Sequence, residues 1–504
     1  IASFFIAAVS GLLLFLSFPK FGTGWLAWIA LIPLFCALAG KEPRQAFALG
    51  FTAGIVANIG MMYWITYVVV QYGYLPVFMG VAAMILVASY LSLYTGLFAW
   101  GIRFGGRRNL SVLLVAPVLW VVLEYVKSQI LTGFPWENLG YSQYRLLPLI
   151  QISDLTGVYG LSFLIVFVNA LFFDLLTSTV RMRSKVITAL CGVLLIGVVI
   201  VYGYCRIDGM QKEAASQPIR AVSLIQGNVD QSVKWNPEFQ EKTMRDYAFL
   251  TTEAAVAGRR LIVWPETAVP FFFQDRNEMH RGIIELAQKT ESWLLFGSPS
   301  YIEEKGGLTL FNSAYLLSPD GHPVGRYDKV HLVPYGEYVP LRRIFPFISK
   351  LVQGVGDFGT GAGYVPLAMD GHKVGVLICY EGIFPEASRT YRQNGAVLLI
   401  NITNDAWFGH TSAPYQHLSM TVFRAVENRL YLLRAANTGI TAIVDPLGRI
   451  VSQTGLFEKR SLQGEVRLLK VRTFYSAWGD LFVLVCGIGL LVCVMMALKW
   501  RKRP

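Results

Sequence analysis

The sequence predicts a polytopic α-helical membrane domain joined to an α/β domain. Three observations carry that prediction. Of 504 residues, 54% are hydrophobic and only 15% charged, against about 25% charged in ordinary soluble domains, and the mean hydropathy is +0.47. Apolar stretches without a single Asp, Glu, Lys or Arg crowd the N-terminal part and recur near the C-terminus; about 20 such residues cross a bilayer. Between them lies a polar block in which short apolar runs alternate with helical patterns, as in layered α/β domains.

The spans come in order. Ala2–Phe18, Gly22–Gly40, Ala46–Val70, Leu75–Ile102, Leu155–Phe173, Val186–Cys205 and Leu481–Leu498 are charge-free, and the shorter Leu110–Leu123 runs into Glu124. That makes eight, seven in 1–205 and one in 476–504, the latter with a basic tail. The first residue is Ile rather than Met, so the natural start is expected to precede it. The first span lacks a small-residue cleavage site and is expected to be retained. Basic residues follow the even-numbered spans: Lys41 and Arg44, then Arg103, Arg107 and Arg108, then Arg181, Arg183 and Lys185, then Lys499, Arg501, Lys502 and Arg503. The positive-inside rule then places both termini in the cytoplasm and the polar block, 206–475, outside the inner membrane, in the periplasm. Much of the net charge of +12 is this topology signal, and no nucleic-acid partner is implied.

Inside the block, Ala221–Gln226, Leu261–Trp264, Trp293–Gly297, Ser313–Leu317, Val374–Cys379, Val397–Ile402 and Ile440–Val444 read as strands. Their near-continuous apolar character suggests sheets covered on both faces. Phe239–Ala257 and Tyr415–Ala436 carry apolar residues at helical spacing. Five of the six cysteines lie in spans or at a span edge, leaving Cys379 alone in the outer domain. A domain of that size with one thiol is not a disulfide scaffold.

Three segments place a titratable group at or near the end of an apolar run, where open α/β sheets build their sites. Glu266 follows the Trp-Pro turn of LIVWPETAVP, Lys329 and Glu337 stand in GRYDKVHLVPYGEYVP, and Cys379 ends GVLIC. Together they suit acyl transfer. A thiol needs activation at neutral pH, a carboxylate serves as its base, and an ammonium stabilises thiolate and oxyanion. Plainer readings stand beside these. Cys379 would fill core, Glu266 cap a helix, Lys329 end a solvated strand, and Glu337 pair with Arg342 or Arg343.

WPET with Glu266, YDKVHLVPYGE with Lys329 and Glu337, and ICYEGIFPE with Cys379 resemble, in that order, the nitrilase (carbon–nitrogen hydrolase) superfamily. NITNDAWFG at Asn401–Gly409 and RAVENRLYLLRAANTG at Arg424–Gly439 match its downstream segments. The resemblance runs from about Ala221 to Val466 and implies a nitrilase-like α-β-β-α sandwich. With its spans, the whole chain is similar to a narrower group, the apolipoprotein N-acyltransferase family of Gram-negative-type inner membranes. That resemblance implies transfer of a fatty acyl chain from a phospholipid, expected to be phosphatidylethanolamine, to the α-amine of a diacylglyceryl-cysteine apolipoprotein. It implies an acyl-thioester on Cys379, proton shuttling by Glu266, an oxyanion held by Lys329, and Glu337 orienting Lys329 or the amine. Trp235, Tyr380, Glu381 and Trp407 are expected to shape the pocket. No cofactor and no metal are implied, and a monomer is expected.

Lipid substrates require contact with the bilayer. The candidate membrane-facing pieces are Val269–Phe273 and Leu341–Phe358, which mixes apolar residues with Arg342, Arg343 and Lys350; glycines at 354 and 356 within it, and at 359 and 361 just after it, would allow a mobile arm. Phe134, Pro135 and Trp136 would line the same cleft or form an interfacial aromatic belt. One rival keeps the fold and hydrolyses a small carbon–nitrogen substrate from a membrane tether, as an amidase or nitrilase does. A second makes the chain a transporter or binding protein with an inactive outer domain.

Overall fold

The computed structural model describes residues 1–177, 181–255, 260–304, 307–338 and 357–500. They form two compact units. One comprises Ile1–Thr66, Pro76–Gly209 and Trp478–Pro504, the other Tyr67–Leu75 and Met210–Ala477.

The first unit is helical. Among the described residues, six helices are long and apolar enough to cross a membrane: Pro43–Met62, Val77–Gly106, Val112–Thr132, Val158–Thr177, Met182–Ala215 and Leu481–Lys499, with shorter apolar helices at Ala2–Leu16 and Gly24–Leu38. In lipid, apolar burial gives helices little reason to associate, so small residues that let backbones approach do that work. Pro43–Met62 lies along Val77–Gly106, and a Cβ at Gly50 would stand 2.5 Å from the Thr95 carbonyl oxygen. Asn169 closes the break between the short 3-10 and α-helical pieces at Gly24–Leu38, accepting from the Leu31 amide and donating to the Ala27 carbonyl, both at 2.8 Å. Trp136 is 2% exposed, with Phe134 stacked on it at 5.9 Å. This excludes an aromatic-belt position for Trp136, because a belt ring must reach the membrane surface.

The second unit carries twelve strands: β1 Ile219–Gln226, β2 Leu261–Val263, β3 Trp293–Glu304, β4 Gly307–Leu317, β5 Pro323–Asp328, β6 Leu367–Met369, β7 His372–Ile378, β8 Leu398–Thr403, β9 Tyr431–Ala436, β10 Ala442–Val444, β11 Ile450–Gln453 and β12 Arg460–Arg467. They build two six-stranded sheets, ordered β12-β1-β2-β3-β4-β5 and β11-β10-β9-β8-β7-β6. The sheets face each other, β1 against β9 and β4 against β7. Helix Pro237–Ala254, capped by Asn236, and helix Glu278–Lys289, capped by Asn277, cover the first sheet. Helices Pro385–Gln393 and Ala413–Asn428 cover the second. The unit is therefore an α-β-β-α sandwich, and apolar strands such as β2 and β8 are buried along their whole length.

Two expectations need correction. The helical repeat of Tyr415–Ala436 is two elements. Arg429 adopts the left-handed conformation, φ 52°, which ends the helix at Asn428, and Tyr431–Ala436 becomes β9, paired in parallel with β8. Val269 and Phe273, expected to face the membrane, are buried in the core between the first sheet and its helices, with Trp264, Phe296 and Tyr315 around them. The expected arm Leu341–Phe358 lies outside the described residues except Asp357 and Phe358.

Candidate active site

The four titratable residues singled out from sequence lie at strand ends and in the loops that follow. Cys379 comes directly after β7, Lys329 directly after β5, Glu266 three residues beyond β2, and Glu337 in the turn after Lys329. Gly297 of β3 lets the Glu266 loop settle on the sheet. A Cβ there would stand 2.7 Å from the Glu266 Cα and 2.8 Å from the Pro265 carbonyl oxygen.

The structure joins Glu266, Lys329 and Glu337 through a residue the sequence did not single out. Asn312 of β4 donates from Nδ2 to Glu266 Oε1 and to Glu337 Oε1, each at 2.8 Å, and its carbonyl accepts from the Lys329 amide at 2.9 Å. Lys329 Nζ lies 2.9 Å from Glu337 Oε2 and 3.8 Å from Glu266 Oε1. The Asn404 amide donates to Glu266 Oε2 at 2.8 Å, and the Val333 amide to Glu337 Oε2 at 2.8 Å. Both carboxylates are thus fixed at both oxygens. Burial works against the Lys329 charge, but Glu337, Glu266 and Cys379 outweigh it and hold the ammonium above its ordinary range.

Cys379 has φ +52°, a left-handed conformation uncommon outside glycine, Asn and Asp. It opens the turn Cys379–Ile383 and is 8% exposed. Its carbonyl accepts from Asn401 Nδ2 at 3.3 Å and from His417 Nε2 at 3.2 Å. Arg434 donates to Asn401 and to Asp405 Oδ2, and Asp405 Oδ1 lies 3.1 Å from His417 Nδ1. A buried ionic network therefore braces the thiol's own backbone. Burial opposes the Asp405 charge, yet Arg434 and His417 hold that carboxyl well below the usual range. Burial pushes the Cys379 thiol up, Glu266 adds to this, and Lys329 opposes it. The surroundings therefore favour the neutral thiol, and a nucleophile at this position would need a proton acceptor.

The four expected pocket residues fall into different places. Tyr380 is buried, its ring edge-on to Phe384 at 5.0 Å. Trp235 is 37% exposed. Trp407 is half-buried and edge-on to Tyr72 at 4.8 Å. Glu381 is fully buried beneath the site. Its carboxyl accepts from Tyr327 Oη and the Val330, His331 and Ile378 amides, tying the Lys329 loop to the Cys379 turn, and burial raises its pKa to about 7. Lys234, next to Trp235, donates to the Glu266 carbonyl at 3.3 Å and to Thr267 Oγ1. Burial lowers its pKa to about 8.

Two facing sheets between helix layers, with their site at the strand ends and a unit of membrane-length helices in the same chain, describe a membrane-bound protein of the carbon–nitrogen hydrolase class. The Carbon-nitrogen hydrolase family matches residues 221–475 and the Apolipoprotein N-acyltransferase N-terminal domain matches residues 10–171. The chain is similar to the apolipoprotein N-acyltransferase of Geobacter metallireducens, with 48% identity over 99% of this chain and 96% of that one. It is similar also to those of Methylococcus capsulatus, 36% identical over 94% and 92%, and Nitrosomonas europaea, 33% identical over 92% and 91%. The chain belongs to the apolipoprotein N-acyltransferase family and is an acyltransferase.

Proposed function

We propose that the chain moves a fatty acyl group from a phospholipid, with phosphatidylethanolamine the expected donor, to the N-terminal amine of a diacylglyceryl-cysteine apolipoprotein, in two steps through a Cys379 thioester. The observation that carries this reading is the fixed set of Glu266, Lys329 and Glu337 acting on a neutral, buried thiol. In the first step Cys379 Sγ attacks the ester carbonyl and its proton passes to Glu266. Lys329, with a backbone N–H near Tyr380, holds the oxyanion. Collapse breaks the ester bond, and the leaving lysophospholipid oxygen takes the proton from Glu266. In the second step the amine attacks the thioester, Glu266 accepts its proton, and the amide forms as Cys379 leaves and is reprotonated. Glu337 keeps Lys329 charged and aimed. Trp235, Tyr380 and Trp407 border the acyl chain and Glu381 holds the turn beneath it. Keeping water out favours the amine over hydrolysis.

The membrane helices fit lipid substrates. We place seven spans in 1–205, the catalytic domain 206–475 in the periplasm, an eighth span in 476–504 and both termini in the cytoplasm, with the protein a monomer in the bacterial inner membrane. The test is intact mass spectrometry after incubation with phosphatidylethanolamine alone. One fatty-acyl increment is expected, mapped to Cys379, released by neutral hydroxylamine, absent in Cys379→Ala and discharged by a diacylated lipopeptide. Absence of both adduct and lysophospholipid would sink the phospholipid-donor mechanism.

A further inference from the structure

The residue before Trp235 is a buried cation that the thioester chemistry leaves without a task. Lys234 is 2% exposed and, among the described residues, makes no ion pair. Taking an ammonium out of water without such a pair is costly. Burial accordingly lowers its pKa to about 8, although Glu266 pulls the other way. Lysine usually runs its stem along the surface and leaves the charge in water. This one is held inside by two acceptors, the Glu266 carbonyl at 3.3 Å and Thr267 Oγ1.

Both acceptors lie in the loop that carries the proposed base. Thr267 has φ +47°, a left-handed backbone that costs energy in a β-branched residue. The Gly297 amide donates to the Pro265 carbonyl at 3.1 Å, and the Gly297 carbonyl accepts from the Val269 amide at 3.0 Å. Those bonds tie the loop to β3 on either side of the strained residue. Between them, the Glu266 carbonyl takes its hydrogen bond from Lys234, the one donor it meets among the described residues. Lys234 reaches the loop from a segment fixed on the other sheet. Val229 exchanges two hydrogen bonds with the Asn437 side chain, both at 2.8 Å. Gln231 Oε1 accepts from Asn404 Nδ2 at 2.6 Å, and the Asn404 amide is the donor to Glu266 Oε2. Asn404 follows β8 and Asn437 follows β9. Residues 229–234 therefore cross from the loops of one sheet to those of the other. They meet Glu266 twice, at its carboxylate through Asn404 and at its backbone through Lys234.

We propose that Lys234 is a positioning residue for Glu266, holding the strained peptide between Glu266 and Thr267 so that the carboxylate keeps its place beside the Cys379 thiol. The inference rests on the function proposed above for the role of Glu266 as base. The placing of Glu266 is read without any acyl donor, so that its failure and a failure of the thioester mechanism are told apart.

The experiment uses the full chain in detergent micelles and has two readouts. One is the rate at which a small neutral alkylating reagent labels Cys379 at neutral pH, followed on the peptide that carries it. The other is acyl adduct growth with phosphatidylethanolamine. Glu266 raises the thiol pKa, so a carboxylate that drifts away leaves more thiolate. Loss of the Lys234 charge by itself acts in the opposite sense. Lys234→Met is expected to label about threefold faster or more, and to form adduct at least about tenfold more slowly. Adding Thr267→Gly to Lys234→Met lets the chain take the left-handed conformation without strain, and should return both rates toward wild type. Thr267→Val removes the hydroxyl and keeps the shape. It should shift both rates in the same direction by less, and it carries the test where Lys234→Met does not fold. Wild-type or slower labelling in folded Lys234→Met, or in Thr267→Val where the former does not fold, overturns the proposal. So does faster labelling in Lys234→Met that the added Thr267→Gly leaves unchanged. Faster labelling in a protein that forms no acyl adduct even as wild type keeps the positioning role and removes the phospholipid-donor reading.

Discussion

His417 Nε2 donates to the backbone carbonyl of Cys379 at 3.2 Å, so the imidazole holds the peptide that carries the thiol and leaves the thiol itself alone. Because Cys379 sits in left-handed backbone, that support is needed to keep the turn. His417→Ala removes a fully buried donor and leaves a carbonyl with one partner fewer, a loss of about 1–3 kcal/mol. Thioester formation is expected to slow by one to two orders of magnitude, measured as the rate of acyl adduct growth, with His417→Gln recovering part of it. An unchanged rate in His417→Ala would mean that Asn401 alone fixes the turn.

Thiol titration separates the two charges acting on Cys379. Glu266 raises the thiol pKa and Lys329 lowers it. At a fixed pH between 8 and 9, labelling by a small neutral alkylating reagent should therefore accelerate in Glu266→Gln, where more thiolate is present, and slow in Lys329→Met, where less is. Acyl transfer should collapse in both. Labelling that shifts in the same direction in the two variants contradicts the arrangement.

Asn312 keeps two carboxylates apart while bonding both. Asn312→Asp puts a third acidic group between Glu266 and Glu337 and takes away the shared donor. Its kcat is expected to fall at least a hundredfold, further than in Asn312→Ala, because like charges at this spacing repel strongly in a buried site. Equal kinetics for the two variants would assign Asn312 a packing role only.

Gly297→Ala tests the seating of Glu266, the proposed general base, without touching a charged group. The new methyl would stand 2.7 Å from the Glu266 Cα and 2.3 Å from the Thr267 amide nitrogen, so the loop must lift. A fall in kcat of about tenfold or more is expected, with a loss of about 1–3 kcal/mol of stability from overpacking. Wild-type kcat with a lowered Tm would show that the loop moves without carrying Glu266 out of place.

Much of this architecture was legible because it rests on local signals. Charge-free runs marked the apolar helices, and β2, β7 and β8 read as buried strands because both faces are covered. Cys379 and Glu266 were visible because they stand at or near the end of such runs, and Lys329 through the segment YDKVHLVPYGE that holds it. The residues that join them were not. Asn312 is an amide in the middle of a strand, and only the pairing of β4 with β3 and β5 brings it beside two carboxylates. His417 was hidden in a helix with ordinary amphipathic spacing. The boundary at Asn428 was missed because LYLLRAA satisfies a helical repeat as well as a strand, and the parallel pairing with β8 decides between them. Val269–Phe273 looked like a membrane contact because sequence does not tell an apolar run that meets lipid from one that meets its own core.

Tyr67–Leu75 belongs by its contacts to the sandwich, although in sequence it lies among the membrane helices. Tyr72 Oη donates to the Ala406 carbonyl at 2.8 Å, and the Tyr67 ring presses on Gly409, leaving no room for a Cβ. The sandwich unit is therefore not a contiguous piece of chain. A fragment starting at Met210 would lack the Tyr72 ring that stands against Trp407 and the Tyr67 ring that presses on Gly409. Excision at Met210 is therefore expected to yield a sandwich that has lost a packed segment of its own, so that moving it to another anchor would require carrying 67–75 along.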